Sequence, residues 1–227
     1  MRGLSEPAAK IIEPFSHLNV LRDYQLIGGT ALAIKIHHRL SEDLDFCQWV
    51  PKITSAKYGV NAKDIHKELK TLFGDVDINH LGFSQVNYYI KNPGVKITFY
   101  HTDLKKPSDS PTELIGNINV AALEVLGGSK IYVTTQRREI RDYYDIYVLI
   151  DKNHLTLGKM LAKASLLSRE TTPKKVHKIL RKISFSAEEI TRLQELDPVY
   201  PVNQTTLNDF FRQLAVEIET DHLISKP

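Results

Sequence analysis

The sequence predicts an α+β fold, with strands and helices interleaved over about residues 20–116 and helices alone behind them. Three observations predict it. Short stretches such as Tyr24–Ile27, Leu44–Phe46 and Val95–Tyr100 have strand character, and the first runs straight into a glycine pair. Between them, Ile65, Leu69 and Leu72 recur at spacings of four and three, which places them on one face of a helix. After about Val120 the chain reads as a succession of helices.

In order, Pro7 to Val20 reads as a helix weakened or broken at Pro14. Tyr24–Ile27 is a short buried strand that runs straight into Gly28-Gly29. Thr30 to His38 is helical, with Thr30 as its N-cap. Leu44–Phe46 is a second strand, and Asn61–Phe73 is an amphipathic helix. Val76–Asn79, Gln85–Ile90 and Val95–Tyr100 are three more strands, the last two joined by a Lys91-Asn92-Pro93-Gly94 hairpin turn. His101 to Pro111 is polar and proline-containing, hence a loop. Six helices follow: Ala121–Gln136, Glu139–Asp151, Leu157–Ser168, Pro173–Ile183, Ala187–Leu196 and Thr206–Leu223. Pro173 suits the first turn of its helix.

A chain of 227 residues is long enough to bury a core. At 42% hydrophobic and 25% charged it is ordinary for a globular protein, which excludes disorder for its bulk. The net charge of +3 permits a nucleic-acid partner without demanding one. Cys47 is the single cysteine, so an intramolecular disulfide is impossible and a reducing cytoplasm is expected. Met1–Glu13 lacks the apolar stretch of a signal peptide, and no run of eighteen apolar residues predicts a membrane span.

The residues that carry chemistry form two groups. In the first, Gly28-Gly29 sits between a strand and a helix, where missing side chains let backbone approach a bound group. The following helix N-terminus offers free N–H groups to a phosphate. One helix later, Asp43 and Asp45 alternate along a strand and share a face. Two adjacent carboxylates repel unless a cation lies between them, and Mg²⁺ shared with nucleotide phosphates resolves that conflict. In the second group, Asp142 and Asp145 are three apart on a helix, with Arg138 and Arg141 spaced to pair with them. Tyr143, Tyr144 and Tyr147, with Ile146 and Val148, supply the core stripe of that helix.

The stretch Gly28-Gly29-Thr30-Ala31-Leu32, then His38-Arg39-Leu40-Ser41-Glu42-Asp43-Leu44-Asp45-Phe46, resembles the first motif of the AbiEii/AbiGii toxin family. These are polymerase-beta-like nucleotidyltransferases. The second group is similar to the same family, which has a lysine on one helix, an arginine-rich turn and Arg/Lys-Asp-x-x-Asp on the next. The two motifs cover roughly residues 24–150.

The resemblance implies a polymerase-beta-like core with a short mixed sheet over residues 1–116, and a helical region over 117–227 that completes the active site. It implies Mg²⁺-dependent transfer of NMP from an NTP to an acceptor hydroxyl, tRNA being the first candidate and protein the second. It implies a toxin of a bacterial toxin–antitoxin or phage-defence pair, with an antitoxin as partner. Asp43 and Asp45 would hold the metal. Gly28, Gly29, Thr30 and Ser41 would bind the nucleotide, and Lys130 would neutralise the triphosphate as a point charge. Asp142 and Asp145 both match the acidic motif, and spacing does not choose between them. One would face the site or anchor the lysine, and the other would orient Arg138 or Arg141.

Two features depart from the pattern. Many relatives carry a further carboxylate on a later strand, where this chain has Thr98, with Asp77 and Asp103 as off-pattern neighbours. That weakens the case for two metal ions and raises an alternative, a degenerate non-catalytic module that binds a nucleotide or a partner. Gly127-Gly128, just before Lys130, either breaks its helix or marks close backbone packing.

Three weaker signals remain. The adjacent pair His37-His38 does not converge on one ligand, and Cys47 reads as a buried small residue rather than a nucleophile. Lys174, Lys175, His177, Lys178, Arg181 and Lys182 form a basic helical face, either solvated or in contact with an RNA backbone. No helix-turn-helix of a DNA-binding regulator is legible.

Overall fold

The computed structural model describes residues 1–50 and 59–220. Two compact units divide at Ala122/Leu123, six residues beyond the expected change at 116/117.

The first unit is built on a seven-stranded mixed sheet. Its strands are β1 (Gln25–Ile27), β2 (Leu44–Trp49), β3 (Val76–His80), β4 (Gln85–Ile90), β5 (Val95–Thr102), β6 (Thr112–Ile115) and β7 (Ile118–Val120). Their order is β3-β4-β5-β2-β1-β7-β6. β2 runs antiparallel to β1 and parallel to β5. Helices α1 (Glu6–Ser16), α2 (Gly28–Ile36) and α3 (Ala62–Phe73) complete the unit.

Alternation along β2 sorts its residues by face. Leu44 and Phe46 are fully buried, and Phe46 stacks on Phe99 of β5 with ring centroids 5.3 Å apart. Phe15 of α1 packs on the same ring at 5.3 Å. Asp43 and Asp45 therefore take the opposite face. A slip of one residue would bury both carboxylates and expose Phe46, so burial of the aromatic cluster enforces the register that positions the acids.

The other expected elements of this unit form with small shifts. α1 continues through Pro14 and ends at Ser16, because a proline near the C-terminus removes only one intrahelical N–H. Asn61 caps α3 by accepting from the Asp64 N–H. Thr30 is not the cap of α2: the helix begins two residues earlier, at Gly28. The strands β6 and β7 were not expected from sequence. They are too short to show a period, and β7 forms by pairing in parallel with β1, Leu26 opposite Val120. Gly116 turns between them at φ +54, with the backbone of Ser16 closing the space a side chain would need.

The second unit, from Leu123 onward, contains α4 (Leu123–Thr134), α5 (Ile140–Asp151), α6 (Leu157–Leu167), α7 (Pro173–Leu180), α8 (Ala187–Gln194) and α9 (Gln204–Thr220). The expected end of the last helix at Leu223 lies outside the described residues. α5 is buried from Asp142 to Leu149. Tyr143 meets Phe185 at 5.1 Å and Phe211 at 5.3 Å, both edge-on, so the expected tyrosine stripe forms the centre of this unit's core. Thr156 and Thr172 cap α6 and α7, and Ser186 with Glu189 makes a capping box on α8. α4 does not break at Gly127-Gly128. A Cβ on Gly127 would lie 2.5 Å from Leu155 Cδ1, and one on Gly128 would lie 2.6 Å from Lys163 Cγ and 3.0 Å from the Ala164 nitrogen. The glycines are there for close packing on α6.

Candidate active site

Within the first unit, strand pairing brings the glycine turn against the carboxylates. Ile27 is the Cα partner of Asp45, so Gly28 leaves β1 directly beside it. Gly28 takes φ +73, and a Cβ there would lie 2.9 Å from Asp45 Oδ2. Gly29 is equally crowded, since its Cβ position is 2.5 Å from an Arg39 guanidinium nitrogen. Gly28 is strained for any side chain, Gly29 meets the end of the Arg39 side chain, and the start of α2 is bare backbone next to an acid pair.

Thr30 and Ser41 are buried and bonded to each other. Thr30 Oγ1 donates to the Asp43 carbonyl and shares a 2.7 Å hydrogen bond with Ser41 Oγ. Ser41 is in turn held by the N-terminal segment, through Ser41 N–H to Gly3 O at 2.9 Å and Ser5 N–H to Ser41 O at 3.0 Å. These bonds brace the loop that delivers Asp43 to the start of β2.

Asp43 and Asp45 are both half-buried. They are hard oxygen donors on one face, and Gly28 keeps the space beside Asp45 open, so this pair fits Mg²⁺. Asp45 has Thr98 as its Cα partner on β5, and Thr98 faces Asn87 on β4. The residue level with the carboxylate pair is thus a hydroxyl, as expected. Neither off-pattern acid replaces it. Asp77 is on the edge strand β3, paired with Lys91 at 3.3 Å, and Asp103 lies beyond the far end of β5. Among the described residues, no three His, Cys, Asp or Glu side chains gather as a metal site.

Sequence reasoning missed Lys96. It stands two residues before Thr98 on the same face of β5, and its Nζ donates to Asp43 Oδ2 at 2.8 Å. The signal was strand alternation itself, which puts Lys96 on the face already assigned to Thr98. Asp43 and Lys96 open onto a cleft of about 440 Å³ whose lining includes Ser5, Glu42, Tyr89 and Lys91.

Within the second unit, Lys130 on α4 is buried between both aspartates of α5. Its Nζ is 2.7 Å from Asp142 Oδ1 and 2.6 Å from Asp145 Oδ2. Asp142 also accepts from Arg137, Nε at 2.9 Å and Nη2 at 3.4 Å. Burial pushes the Asp142 carboxyl up, but Lys130 and Arg137 outweigh it and hold its pKa below the usual carboxylate value. The expected Arg138–Asp142 pair is not the one formed. α5 starts at Ile140, so Arg138 precedes the helix and loses the i,i+4 relation. It bonds Glu189 at 2.6 and 3.0 Å and the Ser184 carbonyl at 2.6 Å instead. Asp142 and Asp145 both anchor the lysine, and Asp142 orients Arg137 as well.

The lesser candidates are also placed. His37 ends α2 in a left-handed conformation, and His38 is buried. Cys47 is buried, which pushes its thiol pKa well up and away from nucleophilic use. On α7, Lys174 and Lys178 are exposed, as is Lys182 just after it, while His177 pairs with Glu219 at 2.8 Å.

A bare-backbone turn against an acid pair on a mixed sheet is the arrangement the first motif implied. The family model described as nucleotidyl transferase AbiEii toxin, of a type IV toxin–antitoxin system, matches residues 23–218. The chain belongs to this family. Its fold is also that of two Helicobacter pylori crystal structures. One is described as a nucleotidyltransferase: 18% identical, TM-score 0.56, covering 98% of this chain and 99% of that one. The other is JHP933: 20% identical, TM-score 0.50, covering 96% of each. A curated relative, the uncharacterized protein aq_aa25 of Aquifex aeolicus strain VF5, is 24% identical over 174 residues, 70% of this chain and 73% of its own length. The AbiEii membership makes this a nucleotidyltransferase-family toxin. No helix among the described residues is long and apolar enough to cross a membrane.

Proposed function

We propose that this AbiEii-family chain transfers a nucleoside monophosphate from an NTP to an acceptor hydroxyl on RNA, with tRNA as the first candidate, and releases pyrophosphate. The observation that carries the proposal is the close approach of the Gly28 turn to Asp45, which sets a bare helix start, suited to phosphate, beside an acid pair suited to a divalent cation. Gly28 and Gly29 lend backbone N–H groups to the triphosphate, and the Thr30–Ser41 bond holds that turn in register with Asp43. Asp43 and Asp45 would hold Mg²⁺, which supplies charge neutralisation to the phosphoryl group. Within the second unit, Lys130 spends two of its three N–H donors on Asp142 and Asp145, which fix its ammonium in place. The exposed lysines at 174, 178 and 182 support a polyanionic acceptor. Growth inhibition as the toxin of a toxin–antitoxin or phage-defence pair, under a cognate antitoxin, follows from the family.

Thr98 beside Asp45 favours a second reading, a chain that binds nucleotide without turning it over. One experiment separates the two. The protein, Asp43→Ala and Asp45→Ala are each incubated with one α-³²P-NTP at a time, Mg²⁺, and total bacterial RNA and protein. Label on RNA that both variants lose is the expected result. Label on protein names the other acceptor. No transfer from a folded, nucleotide-binding chain establishes the second reading.

A further inference from the structure

We propose that Lys96 is a resident cation of the carboxylate site, doing with an ammonium what a second divalent ion does in a two-metal site, so that this enzyme works with one metal ion. The inference rests on the transferase reading of that site.

Three observations converge on it. Lys96 Nζ is 2.8 Å from Asp43 Oδ2, and both side chains are 30% exposed, so the pair sits at the surface of the site rather than inside the core. The position level with Asp45 on the adjacent strand is Thr98, which brings no charge. Finally, Lys96 opens onto the cleft that also contains Tyr89 and Lys91, so its flexible stem has room to move the ammonium off Asp43 without leaving the site's edge.

The bland alternative is an ordinary half-exposed salt bridge, worth about 0–1 kcal/mol to the fold and nothing to the chemistry. The two differ in what Lys96 does to metal binding. A bridge that only stabilises the fold leaves the affinity of the acid pair for metal alone. A resident cation competes with metal for Asp43 and lowers that affinity.

The test is a Mn²⁺ titration of the full chain read by electron paramagnetic resonance, without nucleotide and then with a non-hydrolysable NTP analogue. It compares wild type, Lys96→Met, Lys96→Arg and Asp45→Asn, with circular dichroism to verify folding. Wild type should bind one Mn²⁺ that Asp45→Asn loses, and keep to one when the analogue is added. Lys96→Met should bind Mn²⁺ about tenfold tighter without nucleotide, because a competing charge has gone. In the labelling assay its kcat should fall about 100-fold with KM little changed. Lys96→Arg should restore both the weaker Mn²⁺ affinity and most of the kcat. Two Mn²⁺ at the wild-type site, or an unchanged affinity in Lys96→Met, overturns the assignment. Because the titration needs neither acceptor nor turnover, a Lys96 effect on Mn²⁺ in a chain that transfers nothing would sink the transferase reading and leave Lys96 as the site's cation.

Discussion

The Cβ position of Gly28 lies 2.9 Å from Asp45 Oδ2, closer than real Cβ atoms approach an oxygen. The same residue holds φ +73, a conformation that costs an L side chain roughly 1–2 kcal/mol. Gly28→Ala therefore strains backbone and displaces the carboxylate of Asp45, one of the two acids proposed to hold metal, together. We expect the melting temperature to fall by about 3–8 °C and NTP affinity by at least about tenfold. Calorimetry beside an NTP titration checks both. Full affinity in the variant would mean that the turn does not touch the nucleotide.

Asp43→Asn and Asp45→Asn keep the shape of each side chain and remove its charge. Both positions are half-buried, so the fold should survive. Transfer should fall by about 100-fold or more in each, on the scale of a lost electrostatic stabiliser. Quantitative NMP incorporation at saturating Mg²⁺ measures it. Asp43→Asn also frees Lys96, so its Mg²⁺ dependence should differ from that of Asp45→Asn.

Gly127 and Gly128 offer a test of packing against propensity. Alanine gains about 1 kcal/mol in a helix interior. At Gly128 the new methyl meets Lys163 Cβ at 2.8 Å and the Ala164 backbone nitrogen at 3.0 Å, neither of which can step aside. Overpacking of about 1–3 kcal/mol should win there, and Gly128→Ala should be destabilised. At Gly127 the obstruction is Leu155 Cδ1 and the Met160 side chain, both able to rotate, so the loss should be smaller. Urea unfolding of the two variants gives the order.

Lys130→Met removes the cation that two buried carboxylates share, which should cost about 3–5 kcal/mol. The pH dependence has a definite sign. Asp142 is held below its unfolded pKa of about 3.9, so its contribution is complete above that value and is lost as pH falls through the lowered native pKa. Wild-type stability should therefore drop from about pH 5 to about pH 3 more steeply than that of Asp142→Asn. Parallel curves from denaturant titrations at each pH would mean that Asp142 has no part in the acid sensitivity.

Replacing Lys174, Lys178 and Lys182 by glutamate tests the acceptor. RNA binding should weaken, and the slope of log affinity against log salt should shrink by about 0.7–0.9 for each phosphate left without its lysine. Filter binding over a range of salt concentrations gives the slope. NTP binding should not change, because these lysines lie on and just beyond α7, remote in sequence from the glycine turn.

Features governed by neighbours in the chain were legible in the sequence. The Gly28-Gly29 turn and the Asp43/Asp45 alternation depend on backbone conformation and strand period, which act over a few residues. Residue types therefore sufficed to place them, and helices such as α3 and α6 formed within a residue or two of their expected bounds. What tertiary structure decided was every choice among equally allowed partners. β7 exists because β1 offers it an edge. Asp142 takes Arg137 and Lys130 rather than Arg138, because the helix begins too late for the expected spacing. Lys96 reaches Asp43 across strands 53 positions apart in sequence. Local periodicity carries no information about such pairings, because their energy comes from desolvation and charge between segments that meet only after the sheet has formed.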